Sequence, residues 1–296
     1  MKLWGIDLGG TKIEGVVLEP STSEVLYRER VPTEGNLGYE HVLNQILKLV
    51  TKLKEQSGES PTKIGIGTPG SIDPSTGLLK GCNSTHLNDR PFLTDVKKLL
   101  GTEVAVANDA NCFALAETHM GIVHEVSPQA KVVFGIIMGT GVGGGLIVNG
   151  QAIQGRNGIA GEWGHNFLDD SGGKCYCGKT GCVETILSGP ALEKYYHSIS
   201  GEKLPLREII GQKTTNPNAK ATYDRLIQFF GLAVSTIVNM IDPEAIVIGG
   251  GVGNIDGIYT DGFESLKKQV FNPSCHTLVL KPKLGDSAGV FGTAYL

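Results

Sequence analysis

Three times in this chain an apolar run breaks into glycine: at Asp7-Leu8-Gly9-Gly10-Thr11-Lys12, at Gly139-Thr140-Gly141-Val142-Gly143-Gly144-Gly145 and at Gly249-Gly250-Gly251-Val252-Gly253. A strand that ends in residues without side chains offers backbone N–H groups to whatever lies beyond it, and anionic oxygens are natural partners for such groups. A single glycine turn is explained by a tight chain reversal. Three, each following an apolar strand, point to phosphate. The chain holds 42 glycines in 296 residues, gathered at a few places instead of spread as in a linker.

The middle stretch matches the G-x-G-x-x-G pattern of dinucleotide folds through Gly139, Gly141 and Gly144, with an acid, Glu162, about 20 residues on. That fingerprint needs a helix after the glycines. Leu146-Ile147-Val148-Asn149-Gly150-Gln151-Ala152-Ile153 reads instead as apolar run, Asn-Gly turn and apolar run, which is a hairpin. No G-x-x-x-x-G-K-[ST] occurs either, which excludes the P-loop class.

Net charge is −4 with lysine and arginine scattered, so no basic stripe is offered to nucleic acid and no polybasic patch to a membrane. No secretion signal precedes the first strand and no run of about 18 apolar residues is found, from which a cytoplasmic protein is expected. In a reducing compartment cysteines bind metal more often than they form disulfides.

Strands are expected over Leu3–Leu8, Lys12–Leu18 and Glu24–Val31, opening the fold with an antiparallel meander. A helix over Tyr39–Glu55 carries Val42, Leu43, Ile46, Leu47, Val50 and Leu53 on its apolar side; a strand over Lys63–Gly67 follows, ending at Thr68-Pro69-Gly70. Glu103–Ala107 reads as a strand whose end, Asn108-Asp109, caps a helix to about Thr118. Lys131–Met138, Leu146–Val148 and Ala245–Ile248 read as strands and Thr222–Ile241 as a long amphipathic helix. The pattern is a duplicated α/β architecture with a cleft between two domains, drawn as 1–115 plus 285–296 and 116–284.

Two acids close strands. Asp7, between its strand and the first glycine turn, is placed to hold hydrated Mg²⁺ beside nucleotide phosphates. Asp109 is as well explained by an N-cap as by catalysis until its neighbours are counted: Asn108-Asp109-Ala110-Asn111 sets two amides around a carboxylate, suited to binding a sugar while accepting a hydroxyl proton. The segment from His165 to Glu184 packs one histidine and Cys175, Cys177 and Cys182 among glycines. Zn²⁺ takes four tetrahedral N and S ligands, so these four form a closed structural site that fixes Glu162 and Glu184 for hydrogen bonding to a polyhydroxy ligand. Cys82, Cys112 and Cys275 lie outside any metal spacing and read as core or incidental thiols.

Taken together, Asp7–Lys12, Asn108–Asn111, Gly139–Gly145, Gly161-Glu162-Trp163-Gly164-His165, the cysteine knot and Ile248–Gly251 resemble the ROK family (repressors, open reading frames and kinases) over essentially the whole chain, within the actin-like ATPase, ribonuclease H-like fold. The resemblance implies an ATP- and Mg²⁺-dependent hexose kinase with a structural Zn²⁺, working as a homodimer. It implies Asp109 as the base, Asn83, Asn108, Glu162, His165 and Glu184 on the sugar, and Asp7, Gly9, Gly10, Thr11, Lys12, Gly139, Thr140, Gly141, Gly249, Gly250 and Gly251 around ATP. The DNA-binding module of the repressors is absent ahead of Leu3. Gly70–Gly77, Asn83–Asn88, Ala160–Asn166 and Leu284–Val290 resemble the bacterial fructokinase (manno(fructo)kinase) branch, which implies fructose 6-phosphorylation; N-acetylglucosamine kinases and glucokinases share most of these motifs, and a sugar-sensing regulator without kinase activity is the non-enzymatic alternative. His86 stands where that branch carries tryptophan, implying a wider and less discriminating sugar site.

Overall fold

The computed structural model describes residues 2–296, the side chain of Asp286 excepted, so that acid of the Leu284–Val290 motif lies outside the described side chains. The first half of the chain contains β1 (Leu3–Leu8), β2 (Lys12–Leu18), β3 (Val25–Pro32), α1 (Tyr39–Ser57), β4 (Lys63–Thr68), β5 (Ser71–Ile72), β6 (Leu79–Lys80), α2 (Phe92–Leu100), β7 (Glu103–Asn108), α3 (Asp109–His119) and α4 (Ile122–Val126). The second contains β8 (Val132–Met138), β9 (Val142–Val148), β10 (Gln151–Ala152), α5 (Glu184–Leu187), α6 (Gly189–Ser200), α7 (Leu206–Gly211), α8 (Pro217–Ile241), β11 (Ala245–Gly249), α9 (Asp261–Lys267), β12 (Leu278–Leu280) and α10 (Ala288–Thr293). Two five-stranded sheets result, ordered β3-β2-β1-β4-β7 and β10-β9-β8-β11-β12. Each is a meander continued by two further strands, which is the duplication expected from the sequence.

Two compact units divide the chain: Met1–Gln129 with Gly145–Gly161 and Lys283–Leu296, and Ala130–Gly144 with Glu162–Pro282. A division at 115/116 would cut α3; the chain instead passes between the compact units at 129/130, at 144/145 within β9, at 161/162 and at 282/283.

In the first unit, α1 buries Val42, Leu43, Ile46, Leu49, Val50 and Leu53. Leu47, expected in this stripe, is 37% exposed, and Leu49 takes its place. Fully burying one such side chain is worth about 1.5–3 kcal/mol. Glycine decides how closely helices approach the sheet. A β-carbon on Gly15 would meet Leu53 Cδ1 at 2.8 Å, so α1 lies on that face of β2. Gly5 pairs with Val16, the residue after Gly15, and therefore points to the opposite face. There α10 covers β1 and β4, where β-carbons on Gly5 and Gly65 would fall 2.3 Å from Thr293 Oγ1 and 1.7 Å from Thr293 O. The returning chain is pinned by Glu117, fully buried, whose carboxylate accepts the N–H groups of Ile122, Lys283 and Leu284 at 2.9–3.1 Å.

In the second unit, α8 begins at Pro217 rather than Thr222, because Asn216 caps it by accepting from Asn218 N (2.9 Å) and Ala219 N (3.3 Å), a bond pair worth about 1 kcal/mol. Proline supplies the first helical residue at no cost in hydrogen bonds. Among the described residues this is the one helix long and apolar enough to cross a membrane, yet half of its apolar window is buried by packing against neighbours such as α6 and α9.

The middle glycine stretch differs from expectation. Only Gly139–Gly141 forms a turn; Val142–Val148 is all strand. The strand carries glycine because helix α3 crosses it: a β-carbon on Gly145 would meet Ala110 O at 2.6 Å and Asn111 Cα at 2.7 Å. Close packing is also the basis of a stability test. Gly292, on α10, has no room for a methyl group beside Cys112 O, 1.7 Å from where it would stand. Gly292→Ala should cost about 3 kcal/mol in urea denaturation, the scale of severe overpacking.

Candidate functional site

The first unit brings its acids to one edge of the sheet. Asp7 is paired with Gly67, and Thr68 with Asn108, so β1, β4 and β7 end side by side. Burial first, then the negative charges of Asp109 and Glu14, push the Asp7 carboxyl up to about 6, with Lys12 opposing. Gly289, on α10, leaves space beside this carboxylate: its β-carbon would stand 3.7 Å from Asp7 Oδ2. Two carboxylates in one neighbourhood with one nearby cation fit a bound Mg²⁺, which would relieve their repulsion.

Asp109 opens α3. Its carboxylate reaches solvent, but the protein packed around it raises its pKa, against which the Ala110 N–H donates at 2.8 Å. Asn108, not Asp109, caps the helix, its Oδ1 accepting from Asn111 N at 2.9 Å. Asp109 is thereby relieved of the capping role, and Asn108 keeps its amide N–H₂ to donate. Asn111 is buried, its Oδ1 meets no hydrogen-bond partner among the described residues, and it lines a cavity of about 10 Å³ with Ser71, Asn108 and Gln154, room for one water.

Gly9, Gly10 and Thr11 form the β1–β2 turn, closed by Gly9 N donating to Lys12 O at 3.0 Å. Lys12 is committed elsewhere in part: its Nζ lies 3.1 Å from Glu14. Glu14 is buried, and although desolvation raises its pKa, hydrogen bonds from Arg30, Arg28 and Lys12 hold the carboxyl below its ordinary value. Asn83 is exposed in the loop after β6, next to Ser84, whose Oγ would lie 3.7 Å from a β-carbon on Gly10.

The second unit carries the remaining residues. Gly139 and Thr140 end β8; Gly249, Gly250 and Gly251 end β11, the parallel neighbour of β8. Gly250 takes φ +83°, and a β-carbon there would strike Met138 O at 2.3 Å, so only glycine joins these strand ends. Between them lies a cavity of about 970 Å³, lined by Gly139, Thr140, Gly189, Arg207, Gly251 and Asn254 among others. Strand ends and the start of α6 meet there, with Ser188 Oγ capping α6 through Ala191 N and Gly189 N donating to Gly139 O at 2.8 Å. Such a helix start favours anionic oxygens. The reading of the sequence missed α6 and α7; the signal was present in Ser188-Gly189-Pro190, a cap followed by an early proline.

Glu162, His165 and Glu184 are held by the same strand. Trp163 Nε1 donates to Gly143 O at 3.0 Å, and Gly164 lies so flat on β9 that a β-carbon would come 2.0 Å from Val142 O. Glu184 accepts from Val142 N at 3.0 Å, and a β-carbon on Gly141 would meet its Oε2 at 2.6 Å. One oxygen of Glu184 thus braces the Gly139–Gly141 turn.

The ligating atoms of His165, Cys175, Cys177 and Cys182 all lie within 4.8 Å of one another. Cys177 and Cys182 sulfurs are 3.6 Å apart, as are Cys175 Sγ and His165 Nδ1. Four atoms at about 2.0–2.3 Å from a central Zn²⁺ would be separated by nearly that much, so the donor set fits zinc. Burial pushes the Cys182 thiol up to about 12, which a cation would reverse. The other His165 nitrogen, Nε2, lies 3.0 Å from the Tyr176 hydroxyl. Both nitrogens are engaged, and a sugar hydroxyl would have to displace Tyr176. If the knot holds zinc, elemental analysis of protein purified without added metal should give one Zn per chain, and Cys177→Ala should lose it; substoichiometric metal in the parent contradicts this reading.

The model of the ROK family matches residues 3–296. The chain is 37% identical to the N-acetyl-D-glucosamine kinase of Haemophilus influenzae, covering 99% of this chain and 98% of that one. It is 35% identical to the enzyme of that name from Pectobacterium atrosepticum over 99% and 98%. Among solved structures it is similar to a ROK hexokinase from Thermus thermophilus (TM-score 0.89, 29% identity, covering 100% and 97%). It is also similar to a ROK glucokinase from Streptomyces griseus solved with glucose and AMPPNP (TM-score 0.74, 26% identity, covering 99% and 98%). Matched by the family model over residues 3–296 and by solved ROK kinases over its whole length, this chain belongs to the ROK family, in the actin-like ATPase fold.

Proposed function

We propose that this ROK sugar kinase transfers the γ-phosphoryl group of ATP to the 6-hydroxyl of N-acetyl-D-glucosamine. The observation that carries the chemistry is Asp109: a carboxylate freed from capping by Asn108, raised in pKa, and reaching solvent at the edge where Asp7 and the first glycine turn also end. It accepts the hydroxyl proton as the sugar oxygen bonds to the γ-phosphorus and the bond to ADP breaks. Asn83, Asn108, Glu162 and Glu184 hold ring hydroxyls, with His165 joining when Tyr176 gives way. Gly139, Thr140 and Gly141 take the phosphates, and Gly249–Gly251 with the 970 Å³ cavity takes the nucleoside. Bound Mg²⁺ neutralises phosphate charge, Asp7 being the residue to hold its waters.

The relatives support this choice of sugar. The two relatives at 35–37% identity are N-acetylglucosamine kinases by name, the hexokinase and the glucokinase are 29% and 26% identical, and none of the four is a fructokinase, so the fructose reading is replaced. Zinc serves as a brace: the knot fixes Glu162 and Glu184 and touches no reacting atom. A homodimer is consistent with the family and is tested by light scattering.

Comparing kcat/KM for N-acetylglucosamine, glucose, mannose and fructose decides the substrate. N-acetylglucosamine should lead by tenfold or more; preference for another hexose overturns the assignment and leaves the kinase standing. Asp109→Asn should lower kcat by a factor on the order of 10² to 10⁴ with little change in sugar binding. Because the Asp109 carboxyl is raised, its base form is lost as pH falls through a value above the ordinary aspartate figure of about 3.9, so the acid limb of kcat/KM should sit above pH 4. The same raised pKa means the charged form is penalised in the fold, so Asp109→Asn should raise the melting temperature at neutral pH while it abolishes turnover. A variant that keeps turnover within a few-fold removes Asp109 from the role of base.

A further inference from the structure

His86 sits in the short helical turn Thr85–Leu87, three residues beyond Asn83. Its ring lies against Gly35: a β-carbon on Gly35 would come 2.6 Å from His86 Cε1 and 2.9 Å from Nε2. Nε2 is shut off from solvent and meets no hydrogen-bond partner among the described residues. A buried polar atom without a partner is destabilising, so the contact is imposed by the loops that bring the ring there. The loop carrying it is stiff. Asn88 grips Cys82 from both sides, accepting from its N–H at 2.8 Å and donating to its carbonyl at 3.0 Å, and Leu87 is buried in the main core.

Gly35 belongs to a loop that leads straight to the phosphate hairpin. Thr33, two residues earlier, donates from its N–H to Thr11 O at 3.0 Å and from Oγ1 to Gly9 O at 2.7 Å. Glu34 between them holds a left-handed φ of 49°, a conformation kept by His41 Nε2 at 2.8 Å and Gln45 Nε2 at 2.9 Å on its carboxylate. From Asn83 to Gly9 the path is therefore continuous: helical turn, imidazole, Gly35, Thr33, hairpin.

We propose that His86 is a positioning residue that locks the Asn83 loop to the Gly9–Thr11 hairpin through Gly35, so that the sugar ligand and the phosphate turn keep their places together. The role rests on the kinase reading for its meaning, and it replaces the expectation that a smaller residue at 86 widens the sugar site. Gly35 has an ordinary negative φ region open to alanine, since it is absent from the left-handed glycines, so Gly35→Ala acts through the ring alone.

The test is a double-mutant cycle with hydrogen exchange and kinetics. Gly35→Ala and His86→Ala should each speed amide exchange in 33–38 and in 9–12, leave 132–138 unchanged, and raise the sugar KM on the order of tenfold. The double variant should be no worse than the worse single, and His86→Phe, which keeps a flat ring and removes the stranded nitrogen, should behave like the parent with a higher melting temperature. Additive effects in the double variant, or exchange changes confined to the loop that carries each substitution, overturn the proposal. A parent protein that turns over no sugar defeats the kinase reading, while the exchange cycle still decides whether the two loops are coupled.

Discussion

Backbone approaching backbone, at distances no β-carbon tolerates, is the constraint on which this molecule rests. A β-carbon at Gly65 would lie 1.7 Å from Thr293 O, and one at Gly292 1.7 Å from Cys112 O. These contacts seat α10 on the sheet and on α3, and α10 in turn brings Gly289 beside Asp7. In the second unit Gly250 and Gly164 do the same for β8 and β9. Glycine is entropically costly to order, by about 0.5–1 kcal/mol against alanine inside a strand or helix. The chain accepts that cost where the result is a bare strand end or a helix lying flat against one.

Charge is arranged with comparable economy of means. Glu117 and Glu14 are both buried acids, and each is fully engaged: one by three backbone N–H groups, the other by Lys12, Arg28 and Arg30. Asp7 is treated differently, surrounded by like charge and desolvation with a single cation near, and its carboxyl rises to about 6. Groups left in that condition are where a fold stores function, since an added cation relieves them. Glu184 belongs to a third kind, with one oxygen spent on Val142 N and so on the turn after Gly139, which lines the large cavity of the second unit. Through it the turn is tied to α5, which follows the cysteine knot directly in the chain.

The knot and the turn also explain why a metal far from reacting atoms would matter to catalysis. Val183 N bonds Asn166 O at 3.0 Å, and Cys182 and Phe167 form a bridge across the loop, so Glu162 and Glu184 flank the tied segment that begins at His165 and ends at Cys182. Loosening the loop at its sulfurs would misplace carboxylates that need accuracy of about 0.5 Å.

The sequence by itself determined most of the strands of the two sheets, their glycine ends, the grouping of His165 with three cysteines and the acid that opens α3, because each of these is a local matter: an apolar run, a missing side chain, a spacing of cysteines, an acid after a strand. Period and cap fixed α1 and α3 to within two residues. Tertiary structure decided the rest. Leu47 and Leu49 both fit a helical stripe, and only the position of the sheet chose Leu49. Gly143 to Gly145 look like loop and are strand, because what they accommodate, such as helix α3 beside Gly145, is distant in sequence. The sequence does not show that Tyr176 sits on the second nitrogen of His165, or that the ring of His86 lies against Gly35. In each case the deciding partner lay outside the local window, and only the folded chain brought it near.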